Sequence, residues 1–202
     1  MYDSGVIVGH SFVSKLRNQF RDRNGTFPNP EGNARKLRVD KSFRKLYIAG
    51  TPGGRILPEY DIPREIREYH PNVVVIDNGS NDLANGAPPL TVACKLVEVA
   101  KEIVRKFGAD RVVLCASLKR GKARIPVNKF NENVVLFNTI LKNFCEVEPA
   151  ISFHQHQGFW SSPISSWSRD QLHPDTVAGF HKYKESIRRA VLMSTRVSEN
   201  LF

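Results

Sequence analysis

Cysteine, tryptophan and methionine are scarce in this chain, at three, two and two of 202 residues, and acidic side chains number only 20 against 30 lysines and arginines. Cys94, Cys115 and Cys145 are odd in number and far apart, and each lies in an apolar segment. That pattern reads as buried free thiols and excludes a disulfide framework, which fits an intracellular, cytoplasmic setting. No run of about 18 apolar residues occurs, so no segment reads as a membrane-spanning helix. Met1-Tyr2-Asp3-Ser4 lacks a basic region followed by an apolar stretch and does not read as a secretory signal. The first strand begins almost at once, which suggests a domain taken from a longer protein, with Met1 an added start. The net charge of +10 favours polyanions or anionic membrane surfaces as partners and says nothing about the fold. Internal repeats and low-complexity tracts are missing too, and the length suits one domain over residues 1–202.

What is present is an alternation of short apolar runs and amphipathic stretches. Val6-Ile7-Val8-Gly9, Leu46-Tyr47-Ile48-Ala49, Val73-Val74-Val75-Ile76 and Val112-Val113-Leu114-Cys115-Ala116 read as buried strands, with a weaker fifth at Ala150–Phe153. Helical spacing of Phe12, Val13, Leu16 and Phe20 predicts a helix from Ser11 to before Asn24-Gly25. Further helices are predicted over 62–69, 91–107, 127–145 and 176–193, and residues 24–36, with Pro28 and Pro30, read as a loop. Continuous apolar strands alternating with helices imply an α/β fold, a parallel sheet covered on both faces, whose ligand crevice lies beyond the carboxyl ends of the strands.

The chemistry-bearing residues cluster at those ends. Ser11 follows the first strand, where a serine is either a helix cap or a nucleophile facing a helix N-terminus. Val13 breaks the G-x-S-x-G pattern, so the common nucleophile elbow is excluded. Asp170 and His173 are spaced so that a carboxylate can reach one imidazole nitrogen and leave the other for a hydroxyl; a surface ion pair with Arg169 is the alternative. Asn81 and Gly53 can supply fixed donors for a tetrahedral oxyanion, or simply form turns. Asp82 suits holding its loop through backbone bonds. His154 and His156 share a strand face, but no cysteine or carboxylate at ligand spacing supports a metal site. The Phe159–Trp167 stretch, with two tryptophans, could line an acyl pocket or form a packed lid. Lys119, Arg120, Lys122 and Arg124 read as a solvated basic patch, with steering of an anionic substrate, nucleic acid or lipid headgroups as the functional alternative.

Taken in order, these pieces resemble the SGNH, or GDSL-type, hydrolases. Val8-Gly9-His10-Ser11-Phe12 is similar to the first block of that family, usually G-D-S-[LI], and Gly50-Thr51-Pro52-Gly53 to the second. Gly79-Ser80-Asn81-Asp82 is similar to the G-x-N-D block and Asp170-Gln171-Leu172-His173 to the D-x-x-H block, so that the likeness runs from residue 6 to 190. It implies a three-layer, flavodoxin-like α/β/α sandwich with about five parallel strands, acting as a serine esterase on a small ester or lipid-like substrate without metal or organic cofactor. Ser11 is then the nucleophile, His173 the general base and Asp170 its orienting acid. Ser11 N–H, Gly53 N–H and Asn81 are the implied oxyanion donors, with Gly54 the alternative to Gly53. His10 departs from the pattern by standing where the family usually has Asp. The alternative is an inactive module that keeps the fold and binds nucleic acid or anionic lipid through its basic surface. More loosely, Gly179–Ala190 resembles SGNH-type domains carried by animal transposable elements, including esterase domains of some LINE retrotransposons.

Overall fold

The structure is a computed structural model whose described residues are 1–159, 170, 173, 174 and 178–193. Five strands, β1 (Tyr2–Gly9), β2 (Phe43–Gly50), β3 (Val73–Asp77), β4 (Arg111–Cys115) and β5 (Ile151–His154), form one sheet in the order β2-β1-β3-β4-β5. Every pairing is parallel, with Gly9 in register with Gly50 on one side and Asp77 on the other. The helices are α1 (Ser11–Gln19), α2 (Pro30–Leu37), α3 (Arg64–Tyr69), α4 (Ser80–Ala84), α5 (Pro89–Phe107), α6 (Val127–Glu146) and α7 (Ala178–Met193).

Alternation along the strands sorts the core into two layers. Val6, Val8, Val74, Ile76, Val112 and Leu114 pack against α3, α5 and α6. Ile7, Val73, Val75, Val113 and Cys115 face the opposite way, onto α1, α2 and α7. With both faces covered, β3 is buried at all five positions, which is why it reads as an unbroken apolar run up to Asp77. Cys115 and Cys145 are buried free thiols and Cys94 is half-buried, also free.

The sequence reading of residues 24–36 as a loop is corrected here, because α2 occupies Pro30–Leu37. Asn29 caps it, its side-chain oxygen accepting from Gly32 N–H at 2.8 Å, and Pro30 sits in the first turn, where its missing N–H costs nothing. Asn29-Pro30 suits a loop and a helix start equally, and Ala34 and Leu37 bury against the sheet. The short α4 after Gly79 was not expected as a helix either; its five residues are too few to show a period.

Going from β1 the chain moves first to β2 and then back across to β3, so the connections diverge at the carboxyl ends of β1 and β3, and a crevice opens there. Gly50 brings α1 close over this edge: a Cβ at Gly50 would lie 2.2 Å from the Ser14 backbone nitrogen, so only glycine allows the approach.

Candidate active site

β1 ends at Gly9 and α1 begins at Ser11, with His10 between them as the helix cap. His10 Nδ1 accepts from Phe12 N–H at 3.4 Å, which assigns the ring proton to Nε2. The cap reading of Ser11 is therefore displaced. Ser11 is the first helical residue, its hydroxyl is not used to close the helix, and its N–H has no acceptor within α1.

That hydroxyl meets His173. Ser11 Oγ lies 3.1 Å from His173 Nε2, and His173 Nδ1 lies 2.6 Å from Asp170 Oδ2. The other carboxylate oxygen, Asp170 Oδ1, accepts from His173 N–H at 3.0 Å, so one acid fixes both the ring and its backbone. With Nδ1–H given to the carboxylate, Nε2 is left as an acceptor for the serine proton. Phe12 supports His173 from the side, its ring edge-on to the imidazole at 5.6 Å between centroids. A hydroxyl, an imidazole and a carboxylate joined in this order can generate an alkoxide and hold the imidazolium that results. Arg169 and Trp160–Trp167, which the sequence reading considered beside this pair, lie outside the described residues, as do Gln171, Leu172 and Thr176.

The donors expected from the second and third blocks also come together. Asn81 Nδ2 donates to Gly54 carbonyl oxygen at 2.9 Å, which ties the Thr51–Gly54 turn to α4 and leaves the second amide hydrogen uncommitted among the described residues. Gly53 is exposed, takes φ = +72°, a conformation that glycine favours, and its N–H makes no hydrogen bond among the described residues. Gly54 is thus the residue that anchors Asn81, and its own N–H is taken by Thr51 carbonyl oxygen at 3.0 Å. Asp82 does hold a loop: its two carboxylate oxygens accept from Ile56 and Leu57 N–H, each at 3.0 Å.

One placement overturns the sequence reading. Arg120 does not belong to a solvated patch with Lys119, Lys122 and Arg124, which are exposed; it is buried, at 8% exposure. Asn131 on α6 clamps its backbone at both ends, accepting from Arg120 N–H at 3.0 Å and donating to its carbonyl at 3.1 Å. The guanidinium then turns inward, donates to Ser80 Oγ and, at 3.3 Å, to Asn81 Oδ1, and lies between the rings of Phe12 and Phe130. Burial lowers its pKa to about 10, opposed by Asp77 and Asp170, so it stays charged at neutral pH. A run of alternating basic residues carries no signal that one of them faces in; the nearest is Asn131, eleven residues on.

Beneath Ser11 lies a buried polar cluster that the sequence reading did not assemble. His10 Nε2 faces Ser80 Oγ at 3.1 Å and Asp77 Oδ1 at 3.8 Å, so neither ring nitrogen competes for Ser11. Asp77 Oδ2 accepts from Tyr183 O–H, and Asp77 Oδ1 lies 4.0 Å from His156 Nε2, beyond hydrogen-bond reach. Burial pushes the Asp77 carboxyl up, but His156, His10 and the tyrosine bond together hold it down at about 2. Burial lowers His10 to about 4 against the pull of Asp77, with Arg120 adding to the lowering, so it is neutral at pH 7. His154 Nε2 and His156 Nδ1 both bond Ser186 Oγ on α7, at 3.0 and 2.8 Å, and among the described residues no three His, Cys, Asp or Glu side chains gather as a metal would require.

Solved structures share this architecture from end to end. The psychrotrophic esterase EstA from Pseudoalteromonas sp. superposes with a TM-score of 0.64 at 17% identity, over 98% of this chain and 99% of its own. TesA gives 0.63 at 18% identity, over 96% and 99%. The chain has the fold of the SGNH, or GDSL-type, hydrolases. A GDSL-like lipase from Bacteroides thetaiotaomicron VPI-5482 gives 0.62 at 14% identity, over 98% of this chain and 89% of that one. No protein-family model matches the sequence, and no curated protein matches it either. At these identities the likeness to SGNH hydrolases is one of fold, and the looser resemblance to transposon-carried domains is not touched by it.

Proposed function

We propose that this SGNH-fold protein is a serine esterase that cleaves carboxylic esters through an acyl-Ser11 intermediate. The observation that carries the reading is the unbroken hydrogen-bond chain from Ser11 Oγ through His173 to Asp170. His173 Nε2 takes the hydroxyl proton as Ser11 Oγ attacks the ester carbonyl, and Asp170 stabilises the imidazolium. The negative oxygen of the tetrahedral intermediate is received by Ser11 N–H, Gly53 N–H and the free amide hydrogen of Asn81. Each such donor typically contributes about 2.7–4 kcal/mol to the transition state. The N-terminus of α1 adds its positive end to the same oxygen. Collapse of the intermediate breaks the ester bond, and the departing alcohol takes the proton from His173. Water then attacks the acyl-serine with His173 as base, releasing the acid and restoring the hydroxyl.

Hydrolysis of short p-nitrophenyl esters together with labelling by a fluorophosphonate probe tests the reading. The probe matches the chemistry of one fold neighbour, EstA, whose structure is described as inhibited by monoethylphosphonate. Turnover and labelling are expected from the wild-type chain and neither from Ser11→Ala. Wild-type protein that is folded yet neither turns over nor labels would refute the assignment.

A further inference from the structure

A cleft of about 430 Å³ adjoins Gly53 and Asn81 on the side away from β2, and four of the residues lining it are Arg55, Arg120, Lys122 and Arg124. No Asp or Glu lines it, and none of the four cations makes an ion pair among the described residues. Arg124 is held by one bond, from Nη1 to Asn85 Oδ1 at 2.9 Å, while Arg55 and Lys122 make no hydrogen bond among the described residues. Arg120 is fixed from below, and its buried Nε has no hydrogen-bond partner among the described residues. The neighbouring cleft across Gly54 differs: it too holds Arg55, with Arg17 and Arg64, but Asp61 and Glu65 line it as well. Of these two neighbouring clefts, only the one that shares the two candidate oxyanion residues is lined by charge of a single sign.

From this geometry we infer that the cleft is an anion subsite, taking a phosphate or carboxylate group carried by the ester substrate. The inference rests on the esterase reading for what the subsite serves. An ester whose carbonyl oxygen sits on Gly53 and Asn81 extends directly into the cleft, because those two residues belong to both. Guanidinium forks match the paired oxygens of phosphate and carboxylate, and a concave wall of one charge concentrates such groups before they bind.

Two measurements test it, using Arg55→Gln/Lys122→Gln, which alters two exposed side chains outside the acyl-transfer machinery. In the first, phenyl phosphate is titrated into the Ser11→Ala protein with and without the two glutamine substitutions. Binding is expected that weakens about tenfold in the substituted protein. In the second, acetate release is compared for 1-acetylglycerol 3-phosphate and its neutral counterpart, monoacetin. The wild-type kcat/KM is expected to be about tenfold higher for the phosphate ester, falling to near parity in the double variant with the monoacetin rate unchanged. The preference shrinks as ionic strength rises. Absent binding, or binding and preference indifferent to the substitutions, overturns the subsite. Variant-sensitive binding with equal rates on the two esters overturns its role in substrate choice. Variant-sensitive binding with no turnover of either ester, and no probe labelling, upholds the anion site and refutes the esterase reading instead.

Discussion

His10 shows how one residue can replace another of different charge without loss of a structural task. Its Nδ1 accepts the Phe12 N–H, as a capping carboxylate oxygen would, and it does so while neutral. The negative charge sits instead on Asp77, one strand over, 3.8 Å from the His10 ring. Restoring the SGNH block by His10→Asp is therefore expected to destabilise the fold. Two buried carboxylates would face each other, at a cost of about 2–4 kcal/mol. His10→Asn keeps a neutral acceptor at the cap and is expected to cost about 1 kcal/mol or less. Urea midpoints of the two variants check the order; an aspartate variant as stable as wild type would contradict it. Arg120 holds Asn81 by the amide oxygen, so Arg120→Met leaves the amide tied only through Nδ2 to Gly54 among the described residues, and looser. For a neutral ester kcat is expected to fall by about tenfold to a hundredfold with KM little changed, less than outright loss of an oxyanion donor. A purely structural arginine would lower the melting temperature and leave kcat of the folded protein intact.

At the scale of elements, the position of Ser11 is set by how closely α1 sits over the ends of β1 and β2. Gly50→Ala drives a methyl into the Ser14 backbone, which cannot move aside as a side-chain tip could. Destabilisation of about 3 kcal/mol is expected, and because α1 must lift, the Ser11–His173 bond must lengthen too. Thermal unfolding and fluorophosphonate labelling rate, measured on the same sample, should fall together. The elements themselves were largely legible in the residues. Buried parallel strands write themselves as apolar runs, and the blocks around Ser11, Gly53, Asn81 and Asp170–His173 follow them in an order that fits one crevice. α2 was missed because Asn29-Pro30 serves a turn and a helix start equally well, and only the burial of Ala34 and Leu37 separates the two. Arg120 was misplaced because its environment is made by Ser80, Asn81 and Phe130, and which of several neighbouring basic residues meets them depends on the backbone clamp from Asn131. The cluster around Asp77 joins β1, β3, the residues after β5, and α7, and no local pattern reports such a meeting.

For the whole molecule, that cluster sets the response to acid. His10 and His154 are each lowered by burial to about 4 from an ordinary 6.5, so the unfolded chain takes up their protons first as pH falls. Their contribution is complete above about pH 6.5 and is lost progressively down to about pH 4, on the order of 3 kcal/mol each. Asp77, held at about 2, extends the same trend: its contribution is present above the ordinary carboxylate range and is lost below it. Urea unfolding is expected to give constant stability between about pH 6.5 and 8 and a steep decline between pH 6.5 and 4. His154→Gln should flatten part of that slope, and an unchanged slope in this variant would count against the buried neutral histidine. The partners in the central hydrogen bond, Ser11 and His173, stand 162 positions apart in sequence. A ribosome must therefore make every residue from Ser11 to His173 before the two can touch. A nascent chain stalled anywhere short of residue 173 would be chemically silent, so the first appearance of probe labelling during translation would time the docking of His173 against Ser11.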